Sequence, residues 1–134
     1  MAFVEWSDSL SVGNDTIDGQ HKKLIELVNK LHQAMASGHG KEIITGVFDE
    51  MIAYTEYHFK TEEKAFDKYG YDRIDEHKEQ HREFVEKVGD LKKKYAGGEL
   101  LITIETLKFL VDWISNHIKK ADQLYMPLLK GREV

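Results

Sequence analysis

The chain has no cysteine and, in 134 residues, a single proline. Without a thiol there is no disulfide, no thiolate nucleophile, no iron–sulfur cluster and no cysteine-ligated zinc. The proline, Pro127, lies near the C-terminus, so nothing before it forbids long uninterrupted helices. Also missing is any apolar run close to the ~20 residues that span a bilayer. The opening "MAFVEWSDSL" lacks the basic-then-apolar order of a signal peptide. Basic residues are outnumbered, 19 against 24, for a net charge of −5. Neither nucleic acid nor an anionic membrane surface is therefore expected as a partner, since both call for clustered Lys and Arg. The expectation is one cytoplasmic, monomeric domain over residues 1–134, large enough to bury about two thirds of its unfolded surface.

What is present is helical period. Glycines concentrate in "ASGHGK" (36–41), "KYGYDR" (68–73) and "YAGGEL" (95–100), and glycine ends helices. Between these breaks lie four amphipathic segments, about 17–37, 42–67, 74–95 and 101–120. The first carries Ile17, Leu24, Val28, Leu31 and Met35 on one face. The second carries Ile44, Val47, Met51, Tyr54 and Ala65, and the third Ile74, Phe84, Val88 and Leu91. The fourth carries Ile104, Leu107, Leu110, Val111, Ile114 and Ile118. Four such helices with short connections pack most simply as an all-α, up-down-up-down four-helix bundle. Residues 1–16 lack this period but hold Phe3, Val4, Trp6, Leu10 and Val12, so they are expected to lie on the bundle as an N-terminal arm. Asn14 or Asp15 is placed to cap the first helix.

The apolar stripes have gaps, and polar residues fill them. At helical spacing the seam passes through His21 in the first helix, His58 and Glu62 in the second, His77 and His81 in the third, and His117 in the fourth. Five of the seven histidines thus fall on inward positions; His32 flanks a stripe and His39 sits in a Gly-His-Gly loop. A lone histidine on an apolar face is ordinarily a core residue with one hydrogen-bond partner. Five of them with a carboxylate are another matter. Each unsatisfied buried polar group costs about 1–3 kcal/mol against a total stability of only ~5–15 kcal/mol, so the cluster needs a compensating partner, and a metal centre provides one. The zinc-protease motif does not fit, because Lys78 follows His77 where that motif requires Glu. Nor does the ferritin-like pattern, because no histidine here has Glu three residues before it.

In order and spacing, the set resembles the hemerythrins. The match runs through His21 in "IDGQHKKLIELVNKLH", His58 and Glu62 in "HFKTEE", the His77/His81 pair, and His117 with Asp122 in "HIKKAD". The resemblance implies a non-haem di-iron centre. His77, His81 and His117 would complete one iron, and His21 and His58 the other. Glu62 and Asp122 would bridge them together with a solvent-derived oxygen. The iron with one ligand fewer would keep a position open for dioxygen, which in that family takes electrons from both ferrous ions. Asp122 enters only through the resemblance. Five residues on an ideal helix leave His117 and Asp122 about 140° apart, so the fourth helix must loosen or break between them.

Trp113, Ile114 and Ile118 surround His117 in sequence and would wall the oxygen site, with plain core packing as the competing reading for each. Departures from the family pattern are Ile114, where many relatives carry Leu, and "YD" (Tyr71, Asp72) where Tyr-Pro is common. Imidazole and carboxylate without thiolate suit iron, but also manganese or zinc. The resemblance implies reversible dioxygen binding for storage, delivery to an oxygen-consuming recipient, or scavenging, without catalysis. Two alternatives stay open: a di-iron enzyme of peroxidase, nitric-oxide or iron–sulfur repair type, and an oxygen or redox sensor module.

Overall fold

The computed structural model describes residues 5–37, 41–96 and 104–134. Four helices form an up-down-up-down bundle: α1 (Asp15–Ala36), α2 (Lys41–Tyr69), α3 (Ile74–Ala96) and α4 (Ile104–Asn116). α4 runs on without a break into a π-helical turn, His117–Asp122, and a one-turn helix α5 (Met126–Leu129) follows. α1 packs on α2 and α4, and α2 on α3. Among the described residues no helix is long and apolar enough to cross a membrane. Phe3, Val4, His39 and residues 101–103 lie outside the described residues.

Local chemistry sets the helix ends. Asn14 caps α1 by accepting the Ile17 amide at 3.2 Å, and Asp15 and Asp18 in the first turn favour its positive end. The helix therefore starts two residues earlier than its apolar period. α2 stops at Gly70, whose φ of 73° a side chain would resist, and the Tyr71 amide reaches back to the Phe66 carbonyl at 3.0 Å. The arm is fastened as its apolar content implies. Leu10 and Val12 are buried, and Asp18 accepts from the Val12 amide at 2.8 Å. Asn14 also donates to the carbonyls of Leu129 and Arg132, at 3.0 and 2.8 Å, tying the start of α1 to the C-terminal segment.

The fourth segment departs from expectation. A continuous α-helix over about 101–120 gives way to α4 plus a π turn. The loosening that the His117–Asp122 spacing demands is met by one wide i→i+5 turn, which nearly stacks residues five apart, and no break is needed.

The apolar interior is in two parts. The larger contains Leu27, Leu31, Phe48, Met51, Leu107 and Leu110, all at most 1% exposed. The smaller contains Val12, Ile17, Phe66, Tyr125 and Leu129, all fully buried. Along the helices His21 falls between Ile17 of the smaller part and Ile25 of the larger, Glu62 between Phe59 and Phe66, His77 and His81 between Tyr71 and Phe84, and Asp122 between Ile118 and Tyr125, while His58 and His117 sit at the edge of the larger part beside Phe59 and Ile118. The bundle is an apolar core, a polar layer, and a small apolar cap.

Candidate metal centre

Each main helix contributes to the polar layer. His21 comes from α1, His58 and Glu62 from successive turns of α2, His77 and His81 from successive turns of α3, and His117 and Asp122 from the two ends of the π turn. All seven are buried, His21, Glu62 and Asp122 completely, and His117 is the most exposed at 7%. Without the extra residue of the π turn, Asp122 would point away from His117.

The donor atoms converge. Asp122 directs its two oxygens to opposite sides: Oδ2 lies 3.1 Å from His21 Nε2, while Oδ1 lies 3.0 Å from His77 Nε2 and 3.2 Å from His117 Nε2. Glu62 Oε1 lies 3.2 Å from His58 Nε2, 3.3 Å from His81 Nε2 and 4.0 Å from His77 Nε2. Two donor sets result, each with its atoms within 4.8 Å of one another: Glu62, His77, His81, His117 and Asp122, and His21, His58, Glu62 and Asp122. Both carboxylates belong to both sets.

Closeness here is not hydrogen bonding. Glu62 Oε1, both Asp122 oxygens, His81 Nε2 and both His21 nitrogens are buried without a hydrogen-bond partner. Their lone pairs face common points instead of donor hydrogens. Orphaned atoms of this kind are expensive in a fold unless a cation takes their lone pairs, and the donor set fits a pair of divalent ions. The charges agree. Burial and the neighbouring Asp122 push the Glu62 carboxyl up, but the charge and close approach of His58, with the His81 ring beside it, hold it below the usual carboxylate range. Burial also pushes Asp122 up, and His117, His21 and His77 overcome it in the same way. Both side chains stay ionised and ready for cations. Burial lowers His81, yet the adjacent carboxylates of Glu62 and Glu63 prevail and raise it to about 9. For His58 burial wins and its pKa falls.

A second layer of residues, absent from the sequence-based set, orients the first. Gln20 Oε1 accepts from His58 Nδ1 at 2.7 Å, Gln80 Oε1 faces His117 Nδ1 at 3.0 Å, and Glu63 Oε2 faces His81 Nδ1 at 3.0 Å. With Nδ1 carrying the proton, each Nε2 turns a lone pair to the centre. Buried Tyr125 donates its hydroxyl to Glu62 Oε2. Aromatic rings fill the remaining space: Phe59 stacks on His81 at 3.7 Å between centroids, and Trp113 on His117 at 4.5 Å.

A small cavity of about 10 Å³ is lined by His21, His58, His117 and Asp122 of the polar layer. Trp113, Ile114 and Ile118 all line it, joined by Leu24, Thr55 and Phe59. That space is about the size of one water. Its only hydroxyl, on Thr55, donates to the Met51 carbonyl at 2.7 Å and so is committed elsewhere.

The model of the hemerythrin HHE cation binding domain matches residues 12–129. A bacteriohemerythrin of Methylococcus capsulatus is 39% identical over 133 residues, covering 98% of this chain and 100% of the relative. One from Stenotrophomonas maltophilia is 36% identical over 131 residues, 98% of this chain and 84% of the relative. The crystal structure of a wild-type hemerythrin superposes with a TM-score of 0.92 at 37% identity, covering 97% of this chain and all of the other. With the matched region spanning all four main helices and the whole polar layer, the chain belongs to the hemerythrin family.

Proposed function

We propose that this protein binds dioxygen reversibly at a di-iron centre, as a store, carrier or scavenger of oxygen and not as an enzyme. The observation that supports this most is the pair of buried donor sets sharing Glu62 and Asp122. His77, His81 and His117 would hold one iron and His21 and His58 the other, and Glu62 and Asp122, which belong to both donor sets, would serve both. The ferrous ions supply the electrons on which reversible oxygen binding depends.

The protein supplies the rest. The set with two histidines has one donor fewer, and both of its histidines line the cavity beside His117 of the other set, which supports entry of a small ligand there. Leu24, Phe59, Trp113, Ile114 and Ile118 wall that space with apolar surface, and the Thr55 proton is directed away from it. An entering ligand thus meets little water and no free hydroxyl proton, the conditions under which bound oxygen leaves as oxygen. Only two carboxylates serve the pair. Oxygen-activating sites are richer in them, because negative charge stabilises highly oxidised iron, and a histidine-rich set favours binding and release.

The chain works in this reading as one monomeric unit in the cytoplasm. Its lack of cysteine is in keeping with a reducing compartment, and its net charge of −5 with the absence of nucleic acid or anionic membrane as partners. The test is metal analysis with an optical spectrum recorded without oxygen, with oxygen admitted, and again after its removal. Two irons per chain and a spectral change that reverses are expected. A change that occurs once and does not return contradicts a carrier.

A further inference from the structure

The second layer is chemically uneven. Two of the three histidines with a partner at Nδ1 face a neutral amide, Gln20 or Gln80, whereas His81 faces the carboxylate of Glu63. Glu63 is the immediate neighbour of Glu62 on α2, turned about 100° further round the helix toward α3. Its side chain is 30% exposed, and at 3.0 Å its Oε2 is close enough for a strong hydrogen bond.

A carboxylate only accepts, so the His81 proton is fixed on Nδ1 and Nε2 is left free to face Glu62 Oε1. An amide oxygen does the same for orientation. It does not do the same for charge: an anionic acceptor draws the Nδ1 proton toward itself and makes the ring a stronger donor at Nε2. The charge of Glu63 is also not committed elsewhere. Lys78 and Arg82 line the same surface groove, yet Lys78 pairs with Asp67, and Arg82 with Glu79 and Glu86. Among the described residues, His81 is the one ion-pair partner of Glu63.

We propose that Glu63 is a positioning residue of the metal centre, fixing the tautomer of His81 and, through its negative charge, making His81 the strongest histidine donor to its iron. This rests on the reading that His77, His81 and His117 hold one iron. The three-histidine set, of which His117 but neither His77 nor His81 lines the cavity, is then the electron-richer half of the pair. An iron held there would have its ferric state favoured by the Glu63 charge, and the midpoint potential of the pair would be lowered.

Two variants separate orientation from charge. Glu63→Ala removes both, and metal release to a competing chelator is expected to become about 10–100-fold easier, the usual effect of losing such a partner. Glu63→Gln keeps an acceptor and is expected to retain both irons while the midpoint potential of the centre moves positive. Gln80→Glu, which puts a carboxylate on His117, is expected to move it negative. An unmoved potential in Glu63→Gln overturns the proposal, and so does wild-type metal retention in Glu63→Ala. Wild-type protein is measured alongside. If it fails to take up two irons or to oxygenate reversibly, the function proposed above is at fault. If it behaves normally and Glu63→Gln does not differ from it, the role of Glu63 alone is lost.

Discussion

The apolar core around Leu31 and Leu110 and the polar layer around Glu62 and Asp122 are built on the same four helices under opposite rules. In the core each fully buried side chain stabilises the fold by about 1.5–3 kcal/mol whatever else is bound. In the layer each buried polar atom without a partner opposes folding until a cation arrives. One region holds the bundle together, and the other spends part of that stability to keep a site ready. The difference explains why the layer is flanked by apolar surface on both sides, the larger core and the cap of Val12, Ile17, Phe66, Tyr125 and Leu129.

Metal removal is the strongest way to probe this contrast. A ligand at 1,000 times its dissociation constant adds ~4 kcal/mol to the folded state, so metal-free protein should melt far below the loaded form. His77→Ala should abolish most of that gap by weakening metal binding. In the metal-free state it should leave the melting temperature close to wild type, because it removes one buried polar side chain from a crowded layer. Calorimetry on both forms checks both statements.

Core truncation should behave in the opposite way. Leu110→Ala, at a site that is 0% exposed, is expected to lose about 2–5 kcal/mol equally with and without metal. Ile114→Ala and Ile118→Ala lie where the two regions meet, buried in the core and lining the cavity. They should lose comparable stability and in addition let water reach the oxygen site, so that the oxygenated spectrum decays faster while both irons stay bound. Leu31→Ala is the control, in the core and away from the cavity, and should decay at the wild-type rate. Equal decay in all three would make Ile114 and Ile118 packing residues only.

A further expected effect is on pH. His81, raised to about 9, holds its proton below that pH in the metal-free protein, and metal must displace it. Zinc affinity should therefore climb up to about tenfold per pH unit between pH ~6.5 and ~9 and then level off. The stability that the raised pKa gives the metal-free protein is fully present below ~6.5 and is lost as pH rises through ~9. The melting-temperature gap between loaded and metal-free protein should thus widen over this interval. A gap that narrows would contradict the raised pKa.

The four helices, their seam and six of the seven side chains that meet in the polar layer were legible because a 3.6-residue period maps sequence directly onto a helix face. Asp122 was not, since the same arithmetic turns it away from His117. The π turn that brings it back depends on the packing of α4 as a whole, and only the family resemblance pointed to the residue. Gln20, Glu63 and Gln80 were missed for a different reason. Each sits one position from a donor, faces a neighbouring helix, and orients a histidine on another helix (His58, His81 and His117), so its meaning lies in the pairing of helices. Tyr125, one turn beyond Asp122, becomes visible once the fourth segment is carried past residue 120.

The measurement that bears most directly on the contrast is a titration of metal-free protein with ferrous iron under anaerobic conditions, with the melting temperature followed at each addition. If the polar layer is a two-ion site completed by Glu62 and Asp122 together, the melting temperature should rise steeply and break at two equivalents in wild type. In Leu110→Ala the same rise should start from a lower base. A break at one equivalent, or a melting temperature indifferent to iron, would mean that the layer is satisfied by its own hydrogen bonds.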